Sequence, residues 1–113
     1  MIKKIRKSTM DISKSDWILY RERIGDWQER YMEILCQKYV ELLQSDKLPS
    51  DKFWALNKRI NKDKNSPGVI VTLKRSNMFY DILRLINDGV INLDDLKDFS
   101  QGFQDEIKAV VRS

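Results

Sequence analysis

The chain has 113 residues, 34% charged and 42% apolar, with a net charge of +4. That balance fits one soluble globular domain burying roughly 65% of its unfolded surface, and no apolar run approaches the ~18 residues that span a bilayer. The single cysteine, Cys36, excludes a disulfide framework and fits a reducing cytoplasm, while the absence of histidine removes the commonest general base and the commonest metal ligand together.

Charge is zoned along the chain. Residues 16–46 carry four bases and seven acids, whereas residues 47–75 carry eight bases and two acids. Asymmetry of this kind bears on partners and solubility, not on fold.

In chain order, residues 1–12 set Lys3, Lys4, Arg6 and Lys7 beside Ile2 and Ile5 and read as a flexible basic arm. They lack the apolar run and small-residue cleavage site of a secretory signal. Residues 13–113 read as a single helical domain. Ser13 and Asp16 have the spacing of a capping box, opening a helix predicted from Asp16 to about Ser45, roughly 45 Å long. Trp17, Tyr20, Ile24, Trp27 and Tyr31 fall on one stripe of its first half. Past Tyr31 the stripe drifts to Met32, Leu35, Tyr39 and Leu42, because 3.6 residues per turn fall out of step with a 3.5-residue repeat. Two accounts of the first-half stripe stand level: a two-fold partner covers it, with Gly25 at the crossing, or residues 69–111 fold back along the whole helix. Leu48-Pro49 closes the helix.

Ser50 is the expected cap of a second helix, from Asp51 to about Lys64, with Phe53, Trp54, Leu56 and Ile60 as its buried face. Asn65-Ser66-Pro67-Gly68 breaks the chain and is the expected hinge. Val69 to Leu73 is rich in β-branched residues and alone reads as a strand, but the chain offers it no partner. A short helix capped by Ser66, with Pro67 at its first position, is preferred; an isolated strand over residues 69–74 is the alternative. Ser76 is expected to cap a helix from Asn77 to Asp88, ended by Gly89 in the left-handed region. Asn92 then caps a short helix from Leu93 to about Phe99, and a last helix starts near Ser100 with Phe103, Ile107, Val110 and Val111 on one side. The expected fold is all-α: one long N-terminal helix packed with three to five shorter ones.

No motif carries chemistry. Asp88-Gly89-Val90-Ile91 with Asp95 mimics half an EF-hand loop, but Arg84 and Ile86 stand where the first two calcium ligands belong. Asp94 and Asp95 suit the first turn of a helix, where the dipole favours acids. Ile82 to Gly89 followed by Asn92 to Leu96 resembles the first helix, turn and second helix of winged helix-turn-helix domains. The recognition helix this implies would come from residues 101–112, where Asp105 and Glu106 oppose Lys108 and Arg112, a poor surface for phosphate. Across Trp17–Tyr31 and Ser76–Ser100 the chain is similar to small, uncharacterised helical proteins of low-GC Gram-positive bacteria and their mobile elements. That resemblance implies no activity.

The expected function is non-enzymatic macromolecular interaction, without cofactor, metal, small-molecule ligand or membrane partner. The partner is expected to be a protein, as for a regulator or inhibitor carried by a phage or mobile element, or a second copy in a homodimer. The interface is placed on Trp17, Tyr20, Ile24, Gly25, Trp27 and Tyr31, since exposed Trp and Tyr anchor interfaces. The alternative is nucleic-acid binding through Lys58, Arg59, Lys62, Lys64, Lys74 and Arg75, helped by the N-terminal arm.

Overall fold

A computed structural model describes residues 11–112. The residues form four α-helices, α1 (Lys14–Leu43), α2 (Pro49–Asp63), α3 (Met78–Asn87) and α4 (Gln101–Arg112), with 3₁₀ turns at Arg75–Asn77 and Leu93–Leu96. No strand is present among the described residues. Of the expected arm, residues 1–10 lie outside the described residues. Ile12 belongs to the core: its side chain is buried and its carbonyl accepts from the Arg75 guanidinium.

Local signals set the helix ends. Ser13 caps α1 by accepting from the Asp16 amide at 3.1 Å, and α1 runs unbroken for 30 residues. Leu48, not Ser50, is the cap residue of α2 and makes no side-chain bond; Pro49 takes the first helical position instead. Ser76 lies inside a 3₁₀ turn and caps nothing. Gly89 has φ +76°, and the turn it makes lets the Val90 amide donate to the Leu85 carbonyl at 2.9 Å while Val90 and Ile91 enter the core. Asn92 forms a full capping box with Asp95, although the helix it opens is one short 3₁₀ turn rather than a run to Phe99.

Between α2 and α3 neither the preferred helix nor the alternative strand over residues 69–74 forms. The Ser66 carbonyl accepts from the Val69 and Ile70 amides, closing a single turn, after which the chain is irregular up to Arg75. The segment is not a hinge. Ser66, Pro67 and Gly68 are buried, and Ser66 Oγ donates to Asp88 Oδ2 at 2.8 Å. A Cβ on Gly68 would lie 2.6 Å from Val90 Cγ2 and closer still to the Tyr31 ring, so only glycine lets the chain pass here.

The core sits on the first half of α1. Tyr20, Ile24 and Trp27 are buried against Ile82 and Leu85 of α3, Leu96, Phe99, and Phe103 and Ile107 of α4. Trp27 stacks on Phe99 with ring centroids 6.2 Å apart, and Phe103 meets Phe79 edge-on at 6.2 Å. Asp16 fastens the two helix starts together, its carboxylate accepting from the Ser100 amide at 2.9 Å and the Ser100 hydroxyl at 2.6 Å. Arg23 and Arg30 hold the outside of the same layer through Asp98 and Asp95 at 2.9 and 3.0 Å.

Of the two accounts of the first-half stripe, the one that leaves it bare for a two-fold partner is therefore corrected. Residues of the same chain cover it, with Trp17 and Tyr31 half-buried at its ends. Gly25 lies outside the contact, where a Cβ would meet nothing within 4 Å. The cover does not extend along the whole helix either. Beyond Tyr31, α1 leaves the core and pairs with α2 as a hairpin, giving extents of 57 × 27 × 23 Å and a radius of gyration of 17.2 Å, against about 13 Å for a compact chain of this length.

Candidate functional site

The hairpin of α1 and α2 leaves Val40, Leu43, Leu48, Phe53, Trp54 and Ile60 exposed, as the chain elsewhere leaves Ile18, Ile70, Leu73, Tyr80, Val110 and Val111. Leu35 and Leu42 are buried on the α1 side of its seam, while Lys52, Ala55, Leu56 and Asp63 mark the α2 face turned toward them. Tyr39 donates to Asp63, and Arg59 Nη1 reaches the Lys38 carbonyl at 3.5 Å. Burial, reinforced by the bond to Asp63, pushes the Tyr39 hydroxyl up to about 12. None of the 15 residues of α2 is buried. The expected buried face of Phe53, Trp54, Leu56 and Ile60 is corrected: Leu56 is half-buried at the seam, but Ile60 is exposed, and Phe53 and Trp54 are 63% and 65% exposed, packed edge-on against each other with centroids 5.0 Å apart. A helix that meets one neighbour along one line has no second surface to cover its other apolar side chains.

The seam divides the hairpin into two unlike sides. One is a cleft of about 980 Å³ lined by Lys38, Lys47, Arg59 and Lys62 together with Tyr31, Leu35, Tyr39, Leu42 and Asp63. The 100° turn per residue carries Val40 and Leu43 of α1, and Phe53 and Ile60 of α2, to the opposite side. All four are exposed, and so is Leu48 in the connection.

The structure scatters the residues expected to bind nucleic acid. Arg59 and Lys62 line the cleft, and Lys58 and Lys64 are exposed nearby on the same helix end. Arg75 is committed to the Ile12 carbonyl, and Lys74 lies on the irregular connector. Lys38, which with Lys47 completes the basic lining, stands outside the basic zone of residues 47–75; only the antiparallel pairing of α1 with α2 brings it in.

Two polar groups sit in the core rather than at a site. The Tyr20 hydroxyl and Asp81 Oδ2 have no hydrogen-bond partner among the described residues. Burial raises both groups above their ordinary ranges; the Asp81 charge adds to the rise at Tyr20, and Arg84, 3.6 Å from Asp81, works against it at both. Asp95, by contrast, is held below the usual carboxylate range: burial pushes it up, but the Arg30 guanidinium and the Asn92 amide outweigh that. No group of three or more acidic or cysteine side chains able to hold a metal occurs among the described residues. No described helix is long and apolar enough to cross a membrane.

The winged-helix likeness is limited to the turn after α3, since its second element is one 3₁₀ turn and α4 spends Phe103 and Ile107 on the core. Compared with known proteins, the chain matches no family model, no curated protein and no solved structure.

Proposed function

We propose that the protein is a non-enzymatic interaction module that engages another protein through the α1–α2 hairpin. One observation carries this: a 15-residue helix with no buried residue displays Phe53 and Trp54 at more than 60% exposure. Large aromatic side chains left in water are the residues that anchor protein interfaces, where each loses much surface for little conformational entropy. The docking residues are thus Leu48, Phe53 and Trp54 rather than the stripe from Trp17 to Tyr31, which the core already uses. The lack of any histidine supports a binding role over catalysis. Photo-crosslinking from position 54 in cells should give discrete protein adducts, with position 25, exposed on the far half of α1, giving none. Equal labelling from both positions, or none from position 54, defeats the reading.

A second reading is favoured by the cleft, where Lys38, Lys47, Arg59 and Lys62 converge. Nucleic acid held there would lose affinity steeply with salt, in proportion to the phosphates neutralised. Glu41, Asp63 and Asp88 share the lining and weaken the field. Titration of single-stranded RNA and DNA at low salt, with Arg59→Glu and Lys62→Glu as the paired variant, tests it; binding that the variant leaves unchanged excludes the cleft.

A further inference from the structure

We infer that residues 70–74, in the connector between α2 and α3, take up an extended segment of another protein by strand addition, main chain pairing with main chain along a free edge. This surface is separate from the hairpin. Its composition is that of a strand and not of a loop, since Ile70, Val71, Thr72 and Leu73 are β-branched or apolar and include none of the residues that make turns. The chain passes through residues 70–74 without a turn or a bend, and Lys74 has φ −133° and ψ 128°, the values of a sheet. In the free chain it is not a strand, because nothing pairs with it. The amides of residues 71–74 and the carbonyls of residues 70–73 make no backbone hydrogen bond among the described residues. Successive residues of an extended chain turn their polar groups to opposite edges. Val71 and Leu73 thus offer two amides and two carbonyls to one edge, and Thr72, the Ile70 carbonyl and the Lys74 amide offer as many to the other. Val71 packs against the core and holds the segment in place, while Ile70 and Leu73 are exposed. An edge of this kind is a template for a further strand.

Main-chain groups select an extended backbone, and the side chains around them select its sequence. Residues 64–80 include Lys64, Lys74 and Arg75 and no acid. Asp88, which approaches this stretch, already accepts from Ser66. The segment that fits is apolar at its centre, beside Ile70 and Leu73, and acidic at its ends. Residues 1–10 of this chain, with four bases and no acid, have the opposite charge. A second copy is opposed by shape. With Val71 packed on the core, each copy's segment lies against its own globular body. Two segments paired antiparallel about an axis normal to the ribbon, about 4.8 Å apart, would crowd two bodies, each 23 Å across at the narrowest, onto one face.

The test is amide hydrogen exchange of the full native chain, read residue by residue by NMR, alone and with the end-blocked peptide Glu-Val-Thr-Val-Thr-Val-Glu at millimolar concentration. Alone, the amides of residues 71–74 should exchange as fast as those of an unfolded chain. With the peptide, either Val71 and Leu73 or Thr72 and Lys74 should slow by roughly tenfold or more while the other two stay fast, the alternation that strand pairing produces. The same peptide N-methylated at its three central amides should give no slowing, and one with lysine for both glutamates should give less. No slowing with the first peptide, equal slowing of all four amides, or slowing that survives N-methylation overturns the inference. Protection without any peptide overturns it too: protection that grows with protein concentration assigns the edge to a second copy, and protection that disappears on deleting residues 1–10 assigns it to this chain's own start. Crosslinking from position 54 reads the hairpin separately, so either reading can fail while the other stands.

Discussion

Asp81 and the glycines show how far a single residue's surroundings decide its effect. Asp81 is buried with one oxygen unpartnered, and its proton is held more tightly in the folded chain than in the unfolded one. Protonation therefore favours folding. Its contribution is most favourable below the ordinary carboxyl range and is lost as pH rises from there through the raised folded value, leaving a penalty at neutrality. Asp81→Asn, which keeps the shape without the charge, should raise the melting temperature at pH 7 relative to the native chain, with the gain shrinking at pH 3. A variant less stable at pH 7 would mean that the Arg84 pair outweighs desolvation. Among the glycines, Gly25→Ala fills open space in a helix interior and should stabilise by up to about 1 kcal/mol. Gly68→Ala drives a methyl group into Tyr31 and Val90 and should cost about 1–3 kcal/mol. Thermal or urea unfolding of the two variants checks the opposite signs.

At the scale of elements, α2 and α3 are opposites. Met78, Phe79, Asp81, Ile82 and Leu85 of α3 are buried, and α2 has no buried residue. Amide protons of α2 should exchange through local opening, well before those of α3, which should require global unfolding. Equal protection of both helices by hydrogen exchange would show that α2 is far better held than its contacts suggest. The pH sense of the Tyr39 contact points the same way. Folding favours the neutral hydroxyl, so the contact holds below the ordinary tyrosine range and weakens as pH rises from about 10 through about 12. Tyr39→Phe should speed α2 exchange at neutral pH without changing that of α3. The helix ends set by the Ser13 cap, the left-handed Gly89 and the Asn92 cap were legible in the sequence, because these act through their immediate neighbours, whereas Ser50 and Ser76 are not caps. What covers each helix was not legible. The apolar stripes of α1 and α2 look alike along the chain, and only the return path of α3 and α4 over Tyr20, Ile24 and Trp27 decides that one is core and the other surface. The candidate site was illegible for the same reason, since Val40 and Leu43 join Phe53 and Ile60 only after the chain has turned back at Leu48.

The whole molecule is an elongated particle with its stability at one end. In dilute solution small-angle scattering should give a radius of gyration near 17 Å rather than the roughly 13 Å of a compact chain. A compact value would mean that the hairpin folds down onto the core. It is not built to do so, because α1 runs through both parts without a proline or a break, and buried Ser66 fastens the return strand of the chain to Asp88. In mechanical terms α1 is a cantilever clamped at Tyr20 and Trp27 and free at Leu43. A load applied at the tip is carried as bending of one continuous rod, and helices of this length resist bending except at proline, glycine pairs or inserted side chains. The hairpin should thus hold one narrow distance from the core, as seen by energy transfer between a dye on position 47 and one on position 108. Whatever docks at the tip pulls directly on the aromatic layer around Trp27, with no joint between to absorb the motion.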